Sequence, residues 1–184
     1  MRKLTATCFT ITCLLLLSSN VFSQSEFFES PNFNQGQIDF NIGIGLIPTF
    51  YSGNRGLLPL NVSGEYGVTD DISVGGYIGY STSSSSIFTK KDVRYTYTIF
   101  GIRGSYHVNL SEKLETYVGV MLGYNRVSVK YDDDSFFTNY KPTSSSGIYS
   151  GYIGSRYHFN ETMGIFAEVG YGISWLTIGF TTKL

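Results

Sequence analysis

A chain of 184 residues with 13 basic and 14 acidic side chains is close to neutral, and it carries neither a basic tract for nucleic acid nor a long acidic tail. Beyond its N-terminus no segment reaches the roughly 18 consecutive apolar residues that a membrane helix requires. Glycine, tyrosine and phenylalanine are abundant (21, 15 and 14 residues) while proline is scarce (four), and mean hydropathy is essentially zero. Transmembrane strands need only about 9–11 residues with alternate positions apolar, so a chain built from them is silent in a hydropathy scan.

Residues 1–23 read as a secretory signal peptide. Arg2 and Lys3 precede an apolar core anchored by Leu14 to Leu17, and Val21-Phe22-Ser23 sets up a cut before Gln24. Lipidation at Cys13 is the competing reading; the apolar run continuing past Cys13 and the Thr-Ile-Thr before it argue against it. Cys8 and Cys13 both leave with the signal, so the mature chain is expected to use no disulfide. Removing Arg2 and Lys3 from the 13 basic residues leaves 11 against 14 acidic ones, a formal charge of minus 3. The remaining length, about 161 residues, suits one domain.

Residues 24–35 have no sustained period and are expected to form a flexible periplasmic leader, with a short plug or cap as the alternative. From about Gly36 the chain alternates. Strand one is predicted over 37–50, with Ile38, Phe40, Ile42, Ile44 and Leu46 opposed to Asp39, Asn41, Gly43 and Gly45. A turn over 51–56 leads to strand two over 58–68, and Thr69-Asp70-Asp71 is a tight turn. Strand three covers 72–81, and the serine-rich stretch Thr82 to Asp92 reads as a polar loop. Strand four is predicted over 93–107, with Phe100, Ile102 and Tyr106 against Gly101, Arg103, Ser105 and His107; aromatics on both sides leave the facing of its first half open. Strand five covers 114–130, and Tyr131 to Ser145 is the longest predicted loop. Strands six (147–159), seven (163–171) and eight (174–184) complete the set, with Leu176, Ile178, Phe180 and Leu184 on one face of the last.

Short connections near Thr69, Asn109 and Asn160 alternate with longer ones near Ser52, Ser84 and Asp133, and only the last one of that second set, near Gly172, is tight. This pattern predicts an all-β, eight-stranded antiparallel up-and-down transmembrane β-barrel over 36–184, with a packed polar lumen and both termini in the periplasm. Closure pairs every backbone amide and removes edges, which hydrocarbon demands. Glycines on the inner face suit a barrel this narrow. Tyr66, Tyr106, Tyr157, Phe159 and Phe180 fall near strand ends, where an aromatic girdle sits. A soluble ligand-binding barrel has the same period and stays open as an alternative, because alternation does not distinguish inward from outward.

Asp39, Glu65, Arg103, Arg156 and Glu168 all fall on the predicted inner face. Each arginine then needs a carboxylate, and strand proximity favours Glu65 with Arg103 and Glu168 with Arg156. Such a set either fills and rigidifies the core or gates a narrow channel for ions or very small solutes. His107 and His158 end strands at the rim and are read as hydrogen-bonding residues; a metal site there would need a third ligand such as Glu112 or Glu161. The serine clusters lie at the opposite end from the histidines, so no hydrolytic triad is expected. Asp132 to Asp134 lacks the glycine and terminal glutamate of a helix-flanked calcium loop. No catalysis, cofactor or metal is expected.

The segments Ile42-Gly43-Ile44-Gly45, Phe100-Gly101-Ile102-Arg103-Gly104-Ser105-Tyr106-His107, Phe166-Ala167-Glu168-Val169-Gly170-Tyr171-Gly172 and Leu176-Thr177-Ile178-Gly179-Phe180 resemble the small outer-membrane β-barrel proteins of Bacteroidetes, within the OmpA-like and OmpX-like barrel superfamily. The resemblance implies location in the outer membrane, contact with its lipid and lipopolysaccharide, and insertion by the barrel-assembly machinery. It implies a structural or surface-interaction role, a monomer, and a possible external ligand at loops 82–92 and 131–145. Family members usually end in an aromatic residue; Leu184 departs from that assembly signal. No peptidoglycan-binding domain follows the predicted barrel, so the anchoring role of longer OmpA relatives is not implied.

Overall fold

The computed structural model describes residues 33–50, 54–87, 91–131 and 143–184. The expected signal peptide and the leader up to residue 32 lie outside the described residues. Nine strands follow in order: β1 (Ile38–Pro48), β2 (Asn54–Arg55), β3 (Leu60–Gly67), β4 (Ile72–Ile87), β5 (Lys91–Asn109), β6 (Leu114–Tyr131), β7 (Thr143–His158), β8 (Met163–Gly170) and β9 (Ser174–Lys183). Eight of them close a ring of antiparallel pairs, each strand beside its sequence neighbour, with β9 returning to β1. Ile42 lies opposite Phe180 at that seam, and Ile78 opposite Phe100 where β4 meets β5. β2 pairs only with β4, setting Asn54 against Ser84, and continues along β4 the edge that β3 occupies up to Leu60.

The two faces of each strand are sorted as the alternation requires. On β1 the side chains of Ile38, Phe40, Ile42 and Ile44 are exposed, while Asp39 and Asn41 are buried. On β6 Val118, Val120, Leu122 and Tyr124 point out, whereas Tyr117, Met121 and Asn125 point in. The result is inverted relative to a barrel meant for water: apolar surface is outside and the buried set includes Asp39, Glu65, Arg103, Glu115 and Arg156. An exterior of this kind is stable against hydrocarbon and costly against water.

The interior has two layers. In the half toward the β4–β5 and β6–β7 connections it is apolar, with Tyr97, Ile99, Met121, Ile148 and Ile173 packed together. This settles the facing of the first half of β5: Val93, Tyr97 and Ile99 are the inward set, and aromatics appear there because they fill this layer. Below it, toward the termini, the lumen is polar and charged.

The strands are unequal in length. β3 and β8 have eight residues each, β1 has 11 and β9 has 10. β4, β5, β6 and β7 have 16, 19, 18 and 16. The surplus all projects at the end opposite the termini: β3 stops at the pair Leu60–Tyr80 while β4 runs on to Ile87, and β8 stops opposite Tyr152 while β7 extends back to Thr143. Thr82 to Asp92 is therefore not a polar loop. Residues 82–87 and 91–92 are paired strand, Ser84 opposite Arg94, because serines and threonines opposite one another satisfy a ladder as well as apolar residues do; residues 88–90 lie outside the described set. The loop expected over 131–145 is likewise shortened, with Tyr131 and Thr143–Ser145 in strands and 132–142 outside the described residues. The turn expected over 51–56 contains β2, and its residues 51–53 are outside the set.

Tight connections over Val68–Asp71, Leu110–Lys113 and Phe159–Thr162 share one end with the start of β1 and the end of β9. Tyr66, Tyr106, Tyr157, Phe159 and Phe180 are all exposed around that end, and Tyr80, Tyr124, Tyr149 and Trp175 are exposed toward the other.

Candidate functional site

The charged layer is built from strand positions two apart on the inner face. Asp39 comes from β1, Glu65 from β3, Ser73 from β4, Arg103, Ser105 and His107 from β5, Glu115 and Tyr117 from β6, Tyr152 and Arg156 from β7, and Glu168 from β8. The Arg156 side chain is fully buried and donates from Nη1 to Asp39 Oδ2 and to Glu115 Oε1, both at 2.8 Å, with Nη2 3.4 Å from Glu65 Oε1. Its guanidinium carbon lies 4.5 Å from the Tyr117 ring centroid. Arg103 donates from Nη2 to Glu168 Oε2 at 2.7 Å, and its Nε is 3.0 Å from Glu65 Oε1 and from Tyr152 Oη. The Tyr152 ring sits under this second guanidinium at 3.9 Å.

Of the five residues singled out by alternation, Glu65 touches both arginines, Asp39 meets Arg156, and Glu168 meets Arg103. The pairing of Glu168 with Arg156 is replaced: Arg156 reaches toward the β1 and β6 walls, where Asp39 and Glu115 hold it, and leaves Glu168 to Arg103 and to the Tyr117 hydroxyl at 3.0 Å. Glu115 is the member that sequence reasoning missed. It stands at the start of β6, two positions before the inward Tyr117, so the same alternation contains it.

The two tyrosines reach the network because glycines make room. A β-carbon on Gly154 would collide with the Tyr117 hydroxyl, and one on Gly119 with the Tyr152 ring.

Glu65 Oε2 accepts from Ser73 Oγ at 2.6 Å and Ser105 Oγ at 2.8 Å. His107 holds Glu115 Oε1 through Nδ1 at 2.6 Å and Ser73 Oγ through Nε2 at 2.8 Å. Ser73 has one hydroxyl proton for its two partners, so it donates to one of them and accepts from the other. The row Ser73–His107–Glu115 has the distances of a nucleophile, base and orienting carboxylate. Here, however, the Glu65 carboxylate occupies the space beside Ser73 Oγ that a substrate carbonyl would need, and Phe33 covers the imidazole. The row is a structural network with no access for an acyl group. Sequence reasoning missed it because Ser73 lies outside the serine-rich stretches.

His158 is buried at the lower mouth, apart from His107, and no group of three or more His, Cys, Asp or Glu side chains disposed to hold a metal occurs among the described residues.

The model of one protein family, described as the outer membrane protein beta-barrel domain, matches residues 9–182. The chain belongs to that family. Solved structures similar to this outer-membrane barrel include the N-terminal β-barrel domain of OprF from Pseudomonas aeruginosa, with 14% identity and a TM-score of 0.56 over 82% of this chain and 98% of that one. OprG from the same organism gives 13% identity and a TM-score of 0.56, covering 85% and 99%. Ail from Yersinia pestis, solved with the heparin analogue sucrose octasulfate, gives 14% identity and a TM-score of 0.51, covering 81% and 95%. At such identities the likeness establishes the fold alone. No curated protein matches the chain.

Proposed function

We propose that this outer-membrane barrel acts through its surface, as a structural and interaction protein, and not as a conduit. The observation that carries the reading is the filling of the lumen in successive layers: Phe33 at the lower mouth, the ion-paired layer around Arg103 and Arg156, and the apolar layer around Ile99 and Ile173. The space enclosed by Tyr77, Arg103, Met121, Tyr152 and Glu168 is only about 10 Å³, the lower limit for a single water. Asp39, Glu65, Arg103, Arg156 and Glu168, with Glu115, serve as an internal brace in this reading. A gate would need a wider layer on at least one side of it.

The terminus-bearing end, with its tight turns, belongs in the periplasm, and the β4–β7 extension stands outside the cell. The projection of β4–β7 and the long connection over 132–142 at one end, against four-residue turns at the other, support this orientation. The cleaved segment 1–23, a Bacteroidetes origin and a monomeric state belong to the same reading. An external partner would meet the projecting sheet and the connections over 88–90 and 132–142, and not free loops over 82–92 and 131–145.

Membrane-impermeant maleimide applied to intact cells producing Lys130→Cys or Glu112→Cys tests this arrangement. Labelling of the first and protection of the second is the expected result; the reverse pattern overturns the orientation.

A further inference from the structure

The outward face of the projecting sheet changes character abruptly. On β6 the apolar series Val118, Val120, Leu122, Tyr124 gives way to Arg126, Ser128 and Lys130, and on β5 Phe100 gives way to Thr98, Thr96 and Arg94. The register sets Arg94 directly opposite Lys130 and Arg126 opposite Thr98, so the three cations share one face on adjacent strands. All three are exposed, and none makes an ion pair or hydrogen bond among the described residues. Hydroxyls occupy the positions between them: Thr96 opposite Ser128, and Ser145 opposite Arg126.

The heights of the cations decide the kind of ligand. Arg126 is one outward position beyond Tyr124, about 7 Å along the strand. Lys130, with Arg94 beside it, is three outward positions beyond Tyr124, about 20 Å along the strand and about 15 Å in height at a tilt near 40°. A phospholipid headgroup at the aromatic boundary meets Arg126 and stops short of the upper pair. Only a lipid whose anionic groups continue upward on a large polar headgroup meets all three. Guanidinium forks suit phosphate oxygens, and the intervening hydroxyls suit sugar hydroxyls and phosphates alike.

We propose that Arg94, Arg126 and Lys130 form a docking surface for a phosphorylated glycolipid of the outer leaflet, the upper pair holding anionic groups on its saccharide and Arg126 those at the membrane boundary. The surface is continuous with the lipid-facing wall below it, so the acyl chains of the same molecule lie against Leu122, Phe100 and Ile102. The proposal rests on the external placement of the β4–β7 extension.

The test uses the refolded full-length mature chain and lipopolysaccharide carried in phosphatidylethanolamine vesicles, with phosphatidylglycerol vesicles of matched charge as the comparison. Relative to the wild type, the triple variant Arg94→Gln/Arg126→Gln/Lys130→Gln should bind lipopolysaccharide at least about tenfold more weakly. Arg94→Gln/Lys130→Gln should erase the preference for lipopolysaccharide over phosphatidylglycerol, and Arg126→Gln should weaken both. Dephosphorylated lipopolysaccharide should bind like the bare vesicle. Wild-type affinity in the triple variant overturns the proposal, as does full competition by inorganic phosphate, which would mean a simple anion site. The Lys130→Cys labelling above separates the two levels. An unlabelled thiol in intact cells overturns the orientation, whereas a labelled thiol with unchanged binding in the triple variant overturns the glycolipid surface alone. Retained heat-dependent gel mobility shows that the triple variant is folded.

Discussion

The Phe33 ring lies face to face on the imidazole of His107, with centroids 3.8 Å apart and planes within 4° of parallel. The contact joins the segment before β1 to the far end of β5, across the mouth of the lumen. Two hydrogen bonds and a turn hold it there. The Gln35 backbone amide donates to Asp70 Oδ1 at 3.0 Å, the Gly36 amide donates to the Gly67 carbonyl at 2.9 Å, and Gly36 turns the chain at φ +85°. Only glycine adopts that left-handed conformation without strain.

Replacing Phe33 by Ala removes this cap. Because the ring is wholly buried, the loss should be about 3 kcal/mol in urea unfolding, at the low end for a core aromatic. His107 should then react with diethylpyrocarbonate much faster than in the wild type, read by peptide mass spectrometry. Unchanged reactivity would show that Phe33 does not seal the mouth.

Arg156 is shared by three carboxylates, so its removal strands more charge than the removal of any one of them. Arg156→Met should cost about 3–5 kcal/mol, the range for breaking a buried pair. Arg156→Lys should rescue little, since one ammonium cannot reproduce the fork that meets Asp39, Glu115 and Glu65 together. Glu168→Gln should cost distinctly less, because Arg103 keeps Glu65 as its carboxylate partner when the charge on Glu168 is lost. Chemical denaturation of the refolded variants ranks these effects, and a Glu168→Gln loss equal to that of Arg156→Met would contradict the assignment.

Gly119 and Gly154 are the spaces into which Tyr152 and Tyr117 fit. Gly154→Val and Gly119→Val should each displace a tyrosine from its arginine and block assembly, seen as loss of the heat-modifiable band. The double variant Gly154→Val/Tyr117→Ala should recover part of it, since the intruding side chain then has room. Failure of that recovery would mean that the glycines matter for another reason.

On the outer wall, Val120 is exposed at mid-height among Val118 and Leu122. Val120→Arg should destabilise the barrel in lipid by about 2–4 kcal/mol, the cost of a cation at the bilayer midplane. The same change at Ser128, above the aromatic boundary, should be nearly silent. Equal costs at the two positions would contradict the placement of the boundary near Tyr124.

How much of this was legible in the chain follows from how local each signal is. Alternation of Ile38, Phe40, Ile42 and Ile44 against Asp39, Asn41, Gly43 and Gly45 depends only on the pleat, so strand number, facing and the inner position of the charges could be read directly. Pairing could not. Glu168 and Arg156 are near in the chain, but which guanidinium each carboxylate meets depends on side-chain reach across a lumen, and Arg156 turns toward β1 and β6. Glu115 obeyed the alternation and was lost only because the strand was read from its apolar residues. The extension of β4 and β5 through Thr82–Ile87 was hidden for a different reason. With little apolar periodicity, the serine-rich stretch looks like a loop, and its strand character comes from the long partner ladder with Lys91 to Thr96.

The central claim is a lumen closed by its own side chains, and conductance of the refolded chain in a planar bilayer tests it most directly. The wild type should give no current steps above the bare bilayer, and Arg103→Ala should also give none, because the apolar layer around Ile99 and Ile173 stays in place. Discrete, reproducible conductance steps from the wild-type protein would contradict the account and return the ion-paired layer to the role of a gate.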